Sequence, residues 1–85
     1  MNPKLTTNCF KVLETLYDNQ INIGEQLYCP LGQNEIAMIV GCNRMTVNNS
    51  FKILKEDGYI SLAKNKHYVL TEKGTDTIKK SKKIE

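Results

Sequence analysis

No apolar run in the sequence approaches the roughly 18 residues that a membrane-spanning helix needs. The start, Met1-Asn2-Pro3-Lys4-Leu5, is not followed by the apolar core of a secretory signal. The expectation is a cytoplasmic protein with no membrane partner. Cysteine is scarce: Cys9, Cys29 and Cys42 are odd in number, widely spaced, and form no Cys-x-x-Cys pair. That excludes a disulfide framework and the usual zinc pattern, and leaves three small buried apolar residues in a reducing compartment. The single histidine, His67, has no cysteine or carboxylate at ligand spacing. No nucleophile–base arrangement, phosphate-cradling glycine loop or paired acidic site is visible. No enzyme, metal, cofactor or small-molecule ligand is therefore expected. Nothing matches the aromatic motifs of an RNA-recognition sheet, so Tyr28, Tyr59 and Tyr68 read as core or sheet-face residues.

Repeats, low-complexity segments and internal linkers are also missing. Eighty-five residues make one domain at most, with a thin core. At 40% hydrophobic and 25% charged residues, the chain has the composition of an ordinary folded domain. The net charge of +3 is unevenly placed. Residues 1–43 carry two lysines against four acidic residues, net −2, and residues 44–85 carry ten basic residues against five acidic ones, net +5. A basic half joined to a mildly acidic half favours a polyanionic partner.

Apolar residues recur at three- and four-residue intervals over 8–18 (Cys9, Phe10, Val12, Leu13, Leu16, Tyr17), which predicts an amphipathic helix capped by Thr6, Thr7 or Asn8. Residues 21–31 read as a connection, with Leu27-Tyr28-Cys29 as a short edge strand before Pro30. Gly32 can cap a short helix containing Ile36, Ala37, Ile39 and Val40, with Glu35 reaching back to the Gly32 amide. Gly41 stops it. Asn43 caps a helix over 43–57 whose apolar stripe is Val47, Phe51 and Leu54. Residues 59–62 and 67–70 alternate as two strands anchored by Ile60, Leu62, Tyr68 and Leu70, with a turn at 63–66. Thr71 can cap a last helix that carries Glu72 in its first turn and Lys79, Lys80, Lys82 and Lys83 near its end, a charge order that suits the helix dipole.

The informative unit is 33–54. Two short helices meet at Gly41-Cys42-Asn43. Ala37 is small enough for a close crossing, Gly41 permits a left-handed turn, and Val47 plugs the joint from the second helix. Alanine, glycine four later and a β-branched residue six after that is helix-turn-helix spacing, which projects the second helix from the surface.

Gly32-Gln33-Asn34-Glu35-Ile36-Ala37-Met38-Ile39-Val40-Gly41-Cys42-Asn43-Arg44-Met45-Thr46-Val47 resembles the helix-turn-helix of bacterial winged-helix regulators, and its turn resembles that of the catabolite activator family. Leu54-Lys55-Glu56-Asp57-Gly58-Tyr59-Ile60 resembles the end of their recognition helix entering the wing. Tyr68-Val69-Leu70-Thr71-Glu72-Lys73-Gly74 is similar to the second wing strand and helix start in the MarR and PadR families. Ser50 departs from the pattern, standing where an aliphatic residue is usual, with Phe51 beside it to supply volume.

The resemblance implies an α+β winged helix-turn-helix over 8–78, with a flexible arm at 1–7 and a basic tail at 79–85. The partner it implies is double-stranded DNA, with association into a homodimer left open. With the stripe facing inward, Asn43, Arg44, Met45, Thr46, Asn48, Asn49 and Lys52 form the expected DNA face of helix 43–57. Arginine suits guanine and asparagine suits adenine in the major groove. Lys64, Asn65, Lys66 and His67 form the expected wing contact with the backbone or minor groove. The reading is a sequence-specific regulator of transcription. The alternatives are an accessory protein that marks an origin in plasmid or mobile-element transfer or replication, and a protein-interaction winged helix.

Overall fold

The computed structural model describes residues 6–63 and 67–83. Most of the expected arm and the wing-tip residues Lys64, Asn65 and Lys66 lie outside the described residues. The elements are α1 (Thr7–Asp18), β1 (Ile21–Ile23), β2 (Gln26–Tyr28), α2 (Gln33–Val40), α3 (Arg44–Glu56), β3 (Ile60–Leu62), β4 (Tyr68–Leu70) and α4 (Glu72–Lys83). Among the described residues, four helices and two antiparallel two-stranded sheets make an α+β winged helix-turn-helix.

Helix α1 is the floor of the molecule. Thr6 caps it, its hydroxyl accepting the Cys9 N–H at 3.2 Å. The recurring apolar positions Cys9, Val12, Leu13 and Leu16 are buried, and they meet Ile36 and Ala37 of α2, Val47, Phe51 and Leu54 of α3, and Ile78 of α4. Burying an aliphatic side chain of this size stabilises by about 1.5–3 kcal/mol, so this cluster holds the helices together.

Three expectations are corrected, and one apolar residue of α2 proves exposed. Residues 21–31 contain a hairpin, not one edge strand: Ile21 pairs with Tyr28 and Asn22 with Leu27, around a turn at Gly24. Three-residue strands are too short for alternation to stand out, and Cys29 lies past the strand, donating its N–H to the Tyr68 carbonyl at 3.4 Å. Ile39 does not join the apolar face of α2. It is 57% exposed beside Met38 at 81%, because an eight-residue helix turns only Ile36 and Ala37 fully inward. Leu62 does not anchor the wing. Ile60 is buried where β3 leaves the body, but Leu62, one step toward the tip, has passed the edge of the core and is exposed. Cys42, at the joint between α2 and α3, is only half-buried, whereas Cys9 and Cys29 are buried.

Helix α4 closes the fold by docking on the start of the wing. The Thr71 N–H donates to the Tyr59 carbonyl at 3.0 Å. Its hydroxyl donates to the Gly58 carbonyl at 2.6 Å and accepts the Gly74 N–H at 3.2 Å. The Lys73 ammonium donates to the Asp57 carbonyl at 2.8 Å and lies 4.5 Å from the centre of the Tyr59 ring. At the far end Lys82 reaches Asp18 at 3.4 Å and Glu14 at 3.7 Å on α1. The bond to Asp18 holds the Lys82 ammonium above its ordinary pKa, but these groups are exposed and the pairs contribute little to stability.

Gly74 is buried at the point of closest approach, where a Cβ would overlap the Tyr59 carbonyl oxygen. Alanine is the better helix former by about 1 kcal/mol, so the two effects oppose each other. Overlap with a backbone atom held by the Thr71 hydrogen bond outweighs propensity, and overpacking of this kind costs about 1–3 kcal/mol. Gly74→Ala is therefore expected to lower the urea midpoint of the chain, whereas Asp76→Ala, exposed on the same helix, leaves it within about 0.5 kcal/mol of the parent. An unchanged or raised midpoint for Gly74→Ala would show that α4 does not rest on Tyr59.

Candidate nucleic-acid interface

Helix α3 is positioned by the joint before it. Gly41 takes φ 86°, and the Gly41 and Cys42 N–H groups both donate to the Ala37 carbonyl, at 2.8 and 3.0 Å. A residue with a Cβ would hold this left-handed geometry at a cost of about 1–2 kcal/mol. Asn43 then returns to extended backbone and caps α3, its side-chain oxygen accepting the Thr46 N–H at 2.8 Å. Helix α2 is capped at its other end by Gly32, whose N–H donates to the Glu35 carboxylate at 2.8 Å. Val47, fully buried, fills the crossing above buried Ala37.

Once Val47, Ser50, Phe51 and Leu54 are inside, the remaining face of α3 is determined by helical geometry. Arg44, Met45, Asn48, Asn49 and Lys52 are exposed and Thr46 is half-buried. This face carries Arg44, Lys52 and Lys55, and no carboxylate occurs along the helix before Glu56. Ser50 is 3% exposed, so it belongs to the core and not to the outer surface. Phe51 packs beside it against Tyr68, ring centres 4.6 Å apart and planes tilted by 53°.

Arg44, Met45 and Asn48 line one hollow together with Gln33, and Arg44 lines a neighbouring one with Gln33, Asn34 and Glu35. Gln33 and Asn34 were missed as surface partners of α3. Their signal was positional: they are the first residues of α2 after the Gly32 cap, at the end that faces the start of the next helix.

The wing is the β3–β4 hairpin, with Ile60 opposite Leu70, Ser61 opposite Val69 and Leu62 opposite Tyr68. The Ala63 N–H donates to the His67 carbonyl at 2.8 Å. The His67 ring stacks on Tyr28 at 4.7 Å, nearly parallel at 13°, and lines a hollow with Leu16, Cys29, Phe51 and Gln33, the last of which also lines the hollow of Arg44, Met45 and Asn48. Tyr28 and Tyr59 are buried and Tyr68 is half-buried, which makes them packing residues.

Burial pushes the Cys29 thiol above its ordinary pKa and the Glu35 carboxylate adds to this, against a hydrogen bond to the Leu31 backbone. A thiol in that state is a poor nucleophile. Among the described residues no group of three or more His, Cys, Asp and Glu side chains could hold a metal ion. Among the same residues, no helix is long and apolar enough to cross a membrane.

Neither a curated protein nor a solved structure matches the sequence. The family described as the Crp-like helix-turn-helix domain matches residues 11–74 of the 85. That span begins inside α1 and takes in the Ala37–Gly41–Val47 joint, the exposed face of α3, the wing and the docking glycine of α4. The chain therefore belongs to the Crp-like helix-turn-helix domain family, whose members are DNA-binding domains.

Proposed function

We propose that the protein is a sequence-specific regulator of transcription that inserts α3 in the major groove of double-stranded DNA and lays segment 63–67 on the backbone or in the minor groove. The observation that carries this reading is the division of α3: one face is committed to the core, and the other is exposed and mostly polar, with basic residues and no carboxylate before Glu56. A major groove about 12 Å wide admits one helix, and the residues near its N-terminus reach the base edges. Arg44 is suited to guanine O6 and N7. Asn48 and Asn49 are suited to adenine N6 and N7. Asn43, Thr46 and Lys52 would meet phosphates, and so would Gln33 and Asn34 at the start of α2, which share hollows with Arg44. His67, stacked on Tyr28, would steady the base of the wing.

Two experiments follow from the separate roles of helix and wing. A binding site can be obtained by selecting duplexes from a random pool with the whole protein. Arg44→Ala and Asn48→Ala are each expected to weaken binding to the selected site by about 1–3 kcal/mol. Both positions are exposed, so the melting temperature should stay near that of the parent. Parent-like affinity for the selected duplex in both variants would remove α3 from base reading.

Lys64 and Lys66 should behave differently. Each phosphate contact releases counterions and adds roughly 0.9 to the slope of log affinity against log salt. Replacing both lysines with alanine should flatten that slope by about one to two units and weaken selected and scrambled duplexes alike. A slope and affinity that both stay at parent values would leave DNA contact to the helix alone.

A further inference from the structure

Met45 is chemically out of place on the outer face of α3, and it is far more exposed than the other uncovered apolar residue of that helix, Ile53 at 38%. Met45 is 71% exposed among Arg44, Asn48 and Asn49, and it lines the same hollow as Gln33, Arg44 and Asn48. It is not an edge of the core, because the inward positions of this helix are filled by Val47, Ser50, Phe51 and Leu54. Nor is it needed for helix formation, since Lys, Gln or Glu would serve equally at an exposed position. An exposed thioether in the second position of the helix gains free energy only when another apolar surface covers it.

We infer that Met45 is a specificity residue that packs on the C5-methyl group of a thymine in the target site. This inference rests on the proposed insertion of α3 in the major groove. In that groove the base edges offer hydrogen-bonding groups almost throughout, and the thymine methyl is the apolar exception. Arg44 and Asn48, flanking Met45 on the same exposed face, supply hydrogen bonds that apolar contact cannot. The three side chains together would read a mixed sequence in which a thymine neighbours the bases met by Arg44 and Asn48. Met38 on α2, although 81% exposed, lines neither of the hollows around Arg44 and carries no such assignment.

The test uses the whole protein and the duplex selected from a random pool. Each thymine of that duplex is replaced in turn by uracil, which removes the methyl group and keeps every hydrogen-bonding group. Burial of one methyl is worth about a threefold to fivefold change in affinity. At one thymine position, counted once per copy of the motif, uracil should raise the Kd by that factor. In Met45→Ala, binding to the thymine and uracil duplexes should become equal at that position, while Met45→Leu should keep most of the difference. Met38→Ala should leave the whole pattern as in the parent.

The inference is overturned if no thymine is sensitive to uracil, or if every sensitive position is equally sensitive in Met45→Ala. In either case α3 can still read bases through Arg44 and Asn48, whose own variants report on that separately. A selection that yields no common sequence overturns base reading by α3 and the methyl contact with it.

Discussion

The position of α3 depends on the Ala37 carbonyl. It accepts two N–H groups, from Gly41 and Cys42, and so closes α2 at the residue where the chain must turn. The turn works only because Gly41 takes a left-handed conformation, and the next helix starts at once because Asn43 supplies a side-chain acceptor for Thr46. Val47 then enters the core next to Ala37, where a larger residue on α2 would hold the helices apart. Three short-range features thus set the crossing of α2 and α3. With the crossing set, helical periodicity decides which side chains of α3 remain outside.

A second set of contacts ties the wing to the same framework. Helix α3 ends at Glu56, the chain turns at Gly58, and the residue after it, Tyr59, is fully buried under α4. Thr71, Lys73 and Gly74 all engage the chain at 57–59, through hydrogen bonds from Thr71 and Lys73 and through the close approach of Gly74. Phe51 on α3 and Tyr68 on β4 add a ring contact from the other side. The exposed helix and the base of the hairpin are therefore held as one piece. This is the arrangement expected of a reader that must present a helix and a wing to one rigid duplex.

Much of this was legible in the sequence because it is local. The inward stripe of α3, the Gly41 stop, the Asn43 cap, the Glu35 bond to the Gly32 amide and the Thr71 cap all depend on residues within about four positions of one another. What escaped depends on distance or on strand length. Ile21-Asn22-Ile23 alternates as a strand should, but three residues carry too little pattern to separate it from a loop. Ile39 and Leu62 are apolar at positions that suit a core, yet the short α2 and the departing β3 carry them past its edge. The stacking of His67 on Tyr28 joins residues 39 apart in the chain, and Gln33 shares a hollow with Arg44 across the joint, so neither shows in the apolar periodicity. Ser50 shows the opposite case: a polar residue at a position where an aliphatic one is usual still lies inside, because the buried stripe of α3 is wider than its apolar members.

The central claim is that the outer face of α3 is the surface that meets DNA. An amide NMR titration of the whole protein with its selected duplex tests it most directly. The largest shift changes should fall on residues 43–52, with the side-chain amides of Asn48 and Asn49 among them, and a smaller set should fall at the start of α2 and around Ala63. Amides in the middle of α1, packed on the opposite side of α3, should move little. Changes concentrated on α4 or the β1–β2 hairpin, with residues 43–52 unmoved at saturation, would contradict the account.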